Sequence, residues 1–189
     1  MTEAFIQEVF ARIDAANGAD PEGESAPAAL IYGQRMTACL KGLYPEAGPA
    51  LQIAVRGQHI ERWKLPRSDY PPGRAGYHRW RTELQRRHAE RLREILQSLG
   101  ADEELIGRVQ HLVQKKALRE DPETQALEDV ACLVFLQHYL EDFSARHESE
   151  RVIEILKKTG AKMSERGQEA ALALDLSPAS RRLLEAALA

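Results

Sequence analysis

The sequence predicts an all-α protein, a single-domain helical bundle, and three observations lead there. Apolar residues recur at steps of three and four along most of the chain, the spacing of one helix face. Strict alternation over several residues is absent, and β-branched residues are scattered, so no segment reads as a strand. The composition is rich in Ala, Leu, Glu, Arg and Gln, all good helix formers.

The elements follow in order. Phe5, Ile6, Val9, Phe10 and Ile13 make one stripe and predict a helix over about Glu3 to Ala16. The segment "NGADPEGESAP" breaks it, with Asn17-Gly18 as the stop. A second helix spans about Ala28 to Leu43, and "YPEAGP" ends it. A third covers about Pro49 to Trp63. Next comes "KLPRSDYPPGRAG", whose prolines fix φ and predict a stiff loop. A long helix runs from about Tyr77 to Leu99, stopped by Gly100. Asp102 is placed to cap a helix reaching about Leu118. After "REDPET" a helix spans about Pro122 to Phe143, and its apolar run "VACLVFL" marks it as central. The remainder predicts two or three short helices, one opened by Ser177-Pro178. The expected domain is residues 1–189, with a core over about 3–145. The helices of about 148–189 pack on that core or pair with a second chain as a homodimer.

Charge is distributed unevenly. The chain of 189 residues carries a formal net charge of −3, which argues against a general nucleic-acid binder. Yet Arg56 to Arg93 holds eleven Arg and Lys against four acids, a local excess of +7. Such an excess suits an anionic ligand. Cys39 and Cys132 are too few for a disulfide scaffold and are expected as buried free thiols. The first residues, "MTEAFIQEVF", do not read as a signal peptide, and no apolar run approaches a membrane span. A cytoplasmic protein is the simplest expectation.

Three polar residues fall on apolar stripes. His59 shares a face with Leu51, Val55 and Trp63. His88 lies among Leu84, Leu92, Ile95 and Leu96. Asp129 shares a face with Leu133, Leu136 and Leu140, where a carboxylate needs a partner. Each histidine has a bland reading, a core imidazole bonded to a neighbour. Convergence of the three would instead make an N,N,O site for one divalent transition metal, Mn, Fe, Co, Ni or Zn. His78, in the first turn of its helix, is expected at the surface.

The stretches "RGQHIERWKLPRSDYPPGRAGYHRWR", "RRHAERLREIL" and "QALEDVACLVFLQHYLEDF" resemble the bacterial and fungal family named domain of unknown function 4202. The similarity covers nearly the whole chain. A more distant resemblance is to the HD-domain metal phosphohydrolases, which are all-helical. Their order of a histidine, a His-Asp doublet and a later aspartate corresponds to His59, His88 and Asp129, although the doublet here reads His88-Ala89. That resemblance implies a metal held by His59, His88 and Asp129, which activates water and neutralises a phosphate. Glu128 and Asp129 would be the catalytic carboxylates. Arg56, Arg62, Arg67, Arg74 and Lys115 would hold phosphate oxygens. The expected function is then a metal-dependent phosphohydrolase acting on a nucleotide or related small phosphate ester. The first alternative is a non-catalytic module of the same fold that binds a small anionic or phosphorylated ligand. The second is an RNA-binding protein stacking bases on Trp63, Tyr70, Tyr77 and Trp80.

Overall fold

The computed structural model describes residues 2–23 and 26–188, so Glu24 and Ser25 of the first predicted loop lie outside it. The described residues form ten α-helices and two short 3₁₀ turns, without strands. The helices are α1 (Glu3–Asn17), α2 (Ala28–Leu43), α3 (Pro49–Gly57), α4 (Gly73–Ser98), α5 (Glu103–Val113), α6 (Pro122–His138), α7 (Leu140–Ser144), α8 (Ser149–Gly160), α9 (Glu165–Ala173) and α10 (Pro178–Leu188). None is long and apolar enough to cross a membrane. The helices group into two compact units, residues 1–117 and 118–189. The chain leaves the first unit through Lys115 and Ala117, both at positive φ (54° and 52°), and the second opens on a helix with Pro122 in its first turn.

In the first unit α3 packs against α1, α2 and α5, and α4 against α1 and α5. Val9, Ile13, Met36, Leu40, Ile53, Val55, Leu92, Leu96, Ile106 and Leu112 are all buried. Each such side chain contributes about 1.5–3 kcal/mol by leaving water. Two glycines allow the close approaches. A Cβ on Gly33 would lie 2.9 Å from the Arg56 carbonyl oxygen, so only glycine lets α2 pack this tightly on α3. A Cβ on Gly57 would lie 2.5 Å from a Leu92 methyl.

The third helix is shorter than its apolar stripe predicts. It ends at Gly57, and residues 58–61 form turns before the 3₁₀ turn Arg62–Lys64. Glu61 sits in the left-handed region (φ 53°), and its N–H donates to Asn17 Oδ1 at 3.0 Å. A partner 44 residues away thus ends the helical path, which no local pattern reveals. The proline-rich loop holds a second 3₁₀ turn at Arg67–Asp69, and α4 begins inside it at Gly73. The Asp102 cap is present, accepting from Leu105 N at 2.8 Å.

In the second unit α6 packs on α7 and α9, and α10 on α7 and α8. The helix expected to reach Phe143 breaks at Tyr139 into α6 and α7. Asp121 caps α6, accepting from Glu123 N at 3.0 Å. Ser177 and Pro178 open α10 as the pair predicts, with Ser177 Oγ accepting from Ser180 N at 3.3 Å.

Candidate functional site

The first unit brings His59 and His88 together, with ring centroids 6.0 Å apart. The turn after α3 presents His59, and α4 presents His88 from its buried face. The His88 Nδ1 lies 2.7 Å from the Ile60 carbonyl oxygen. A carbonyl only accepts, so Nδ1 carries the proton and Nε2 holds the lone pair. That Nε2 is buried and has no hydrogen-bond partner. Burial pushes the His88 pKa down to about 4; the bond to Ile60 opposes the shift and the charge of Arg62 adds to it.

His59 is half-buried, its ring stacked on Tyr32 at 4.3 Å with 16° between the planes. The Arg62 Nη1 lies 3.3 Å from His59 Nε2. A guanidinium only donates, so Nε2 accepts and the proton belongs on Nδ1. Burial holds the His59 pKa well below 6.5, and Arg62, His88, Lys115 and Arg81 push it the same way. Both imidazoles are neutral, in a cationic neighbourhood.

This has a consequence for acid stability. Unfolded imidazoles titrate near 6.5, so the unfolded chain takes up protons that the folded one resists. Stability is expected to be full above pH 6.5 and to fall as pH drops from about 6.5 to about 4. Urea midpoints at pH 7 and pH 5 check this, and His88→Phe should flatten the dependence.

Arg62 is the focus of the charge. Its guanidinium is half-buried and lies over the Trp80 ring, 4.7 Å from the centroid. Trp80 is itself fixed, donating from Nε1 to the Leu65 carbonyl at 2.9 Å. Among the described residues no carboxylate pairs with Arg62 or with its neighbour Arg81, which lies over Tyr77 at 6.0 Å. Further along α4 every cation near the axis of charge has an acid. Arg86 and Arg87 share Glu83 at 2.8 and 3.1 Å. Arg91 reaches Glu94 and Arg93 reaches Glu90, each at 2.8 Å.

The other predicted anion ligands are placed differently. Arg56 points toward α1, donating from Nε to Asp14 Oδ1 at 2.8 Å, with Nη2 on the other carboxylate oxygen and Nη1 3.3 Å from Thr37 Oγ1. It is a structural tie. Arg56→Ala is expected to cost about 2 kcal/mol in urea unfolding; the figure is below that for a fully buried pair because the Asp14 side chain is 31% exposed. Arg67 clamps its own loop, donating to the carbonyls of Tyr70 and Pro71, both at 2.9 Å. Arg74 is exposed beside His78, which lies at the surface as expected. Lys115 acts on His59 through its charge.

Asp129 and Glu128 belong to the second unit. Asp129 has 0% exposure, and its carboxylate is engaged on both oxygens. Oδ1 accepts from Ser164 N at 2.8 Å and Gln125 Nε2 at 3.0 Å, while Oδ2 accepts from Ser164 Oγ. Ser164 is the N-cap of α9, so Asp129 anchors the start of that helix. Glu128 is buried and lies 3.8 Å from Lys162 Nζ. Cys132 is a buried free thiol, whereas Cys39 is only half-buried, and burial raises its pKa to about 11.

The donor set does not fit a metal held by His59, His88 and Asp129. The lone pair of His59 Nε2 faces a guanidinium, and the Asp129 oxygens already accept three hydrogen bonds. Only His88 Nε2 is open. Among the described residues no group of three or more His, Cys, Asp or Glu is arranged to hold a metal ion.

Tyr32 and Arg81 were not singled out by the pattern of the sequence. Tyr32 had one signal, the adjacent Gly33 in mid-helix, which marks the close approach of α2 to α3. Arg81 was hidden within a run of basic residues. No curated protein and no solved structure matches the chain significantly. A family profile described as "Domain of unknown function (DUF4202)" matches residues 7–184. That span is nearly the whole chain, and the protein belongs to this family.

Proposed function

We propose that the protein binds a small phosphorylated ligand at Arg62, Arg81 and His59, on a helical scaffold of HD-like layout, without a catalytic metal. The observation that carries this reading is the pair of arginines without acids. Burying a charge is costly unless it is paired, and Arg62 is half-buried over Trp80 with no carboxylate. The α4 arginines further along are compensated, and the uncompensated Arg74 and Arg79 are exposed, whereas Arg62 and Arg81 are half-buried. A phosphate monoester carries nearly two negative charges and suits two planar guanidinium forks. Neutral His59 adds an N–H donor, whereas an imidazolium beside Arg62 would only add repulsion.

The test is a thermal-shift comparison of AMP, adenosine and pyrophosphate in excess chelator. AMP and pyrophosphate should raise Tm and adenosine should not; the shift should shrink as salt rises. Equal shifts with AMP and adenosine would refute the role of the phosphate.

The alternative, a metal-dependent phosphohydrolase with Glu128 and Asp129 as catalytic groups, draws its support from the open His88 Nε2 alone. Manganese-dependent phosphate release from a nucleotide would favour it. RNA binding has less support, because Trp80 is 8% exposed beneath Arg62 and Tyr77, at 42%, is the one exposed ring of the proposed stacking set.

A further inference from the structure

We propose that Asn17 and His88 are positioning residues for the phosphate site: together they hold the peptide between Ile60 and Glu61 in the orientation that presents His59 and Arg62 to one ligand. The inference rests on the phosphate reading of Arg62 and adds to it two residues that act through the backbone.

His59 and Arg62 are the corners of a tight turn, the Arg62 N–H donating to the His59 carbonyl at 3.1 Å. Ile60 and Glu61 are its central residues, and the peptide that joins them is gripped at both ends. Its carbonyl lies 2.7 Å from His88 Nδ1, which carries the proton. Its N–H donates to Asn17 Oδ1 at 3.0 Å. The two side chains come from different helices, α1 and α4, and both are buried, Asn17 at 2% exposure and His88 at 4%.

The grip works against the local preference of the chain. Glu61 is held at φ 53° and ψ 32°. The commonest turn has negative φ at this place, and the left-handed alternative is ordinarily left to glycine or asparagine. Turning the peptide over would return Glu61 to negative φ. It would also point the Ile60 carbonyl away from His88 and the Glu61 N–H away from Asn17, leaving buried polar groups unpaired. The residues on either side would be re-aimed with it, and those residues are His59 and Arg62. A strained backbone that distant side chains hold beside a binding site fits a conformation kept for what it presents. Helix α1 fixes the start of the same segment, where Asp14, one turn before Asn17, takes the Arg56 guanidinium.

The experiment is a double-variant cycle on the full-length protein with two readouts. Asn17→Leu removes the acceptor and leaves Arg62 in the chain. Without any ligand, the ¹⁵N resonance of His59 Nε2 at neutral pH reports whether that atom accepts from Arg62. Asn17→Leu is expected to move it in the same direction as Arg62→Ala, and the double variant no further. With AMP in excess chelator, Arg62→Ala should cost at least about tenfold in affinity in the wild type but less than about threefold in the Asn17→Leu background. Arg81→Ala should cost the same in both, because Arg81 lies on α4, outside the turn. A role confined to stability would leave the resonance in place and the cost of Arg62→Ala unchanged, and either result overturns the proposal. Should AMP not bind the wild type, the phosphate reading falls, and the resonance alone decides whether Asn17 sets Arg62 against His59. Should Asn17→Leu not fold, amide exchange in the wild type decides: AMP is expected to slow exchange of the Glu61 N–H, and a rate that AMP leaves unchanged overturns the proposal.

Discussion

Replacing Asp129 with alanine is expected to destabilise the protein by about 3 kcal/mol, because hydrogen bonds to a charged group are worth about 1.5–3 kcal/mol each and the carboxylate itself is fully buried. Three donors depend on this carboxylate, Ser164 N, Ser164 Oγ and Gln125 Nε2. Two of them belong to Ser164, the cap of α9, whose positive end favours the charge. Asp129→Asn keeps the volume but sets an amide N–H₂ among donors, so a loss of about 2 kcal/mol is expected. Gly167 provides an internal control. A Cβ there would lie 2.7 Å from the Asp129 carboxyl carbon, so Gly167→Ala should destabilise the wild type. In the Asp129→Ala background the same change should cost less, since its obstacle is gone. Urea denaturation of the four proteins measures the coupling.

Arg62→Ala is expected to weaken phosphate-ester binding by at least about tenfold, the loss of one charge-assisted hydrogen-bonded pair. The fold should survive, because Trp80 keeps its bond to Leu65. Arg62 also lowers the pKa of both histidines, so its removal should move both titrations upward, visible by NMR without any ligand. Arg81→Ala should weaken binding less, since Arg81 has no bond to His59. Arg86→Ala and Arg87→Ala should leave binding unchanged, because those side chains are taken up by Glu83. Equal losses for Arg62 and Arg86 would mean a diffuse basic surface.

The sequence was most informative where a local rule decides the structure. Asp102 and the Ser177-Pro178 pair mark helix starts because capping needs only residues three positions apart. The burial of His88 followed from helical spacing alone. What escaped was set by distant partners. Asp14 captures Arg56 from 42 positions away, and Asn17 ends the path of α3 through Glu61. Asp129 was legible as a buried carboxylate in need of a partner. Its partner is Ser164, 35 residues on, which a pattern pointing to His59 and His88 does not suggest. Basic residues illustrate the same limit. Counting them located the excess charge, but only the pairing of Arg86, Arg87, Arg91 and Arg93 with acids separates those from the arginines before Glu83, of which Arg62 is half-buried beside His59.

The central claim is that two unpaired arginines, rather than a metal, hold the phosphate. Isothermal titration with AMP in excess EDTA, on wild type and Arg62→Ala, tests it most directly. The account predicts heat of binding from the wild type in chelator and a loss of at least about tenfold in affinity for the variant. Binding that appears only after manganese or zinc is added, and persists in Arg62→Ala, would contradict it.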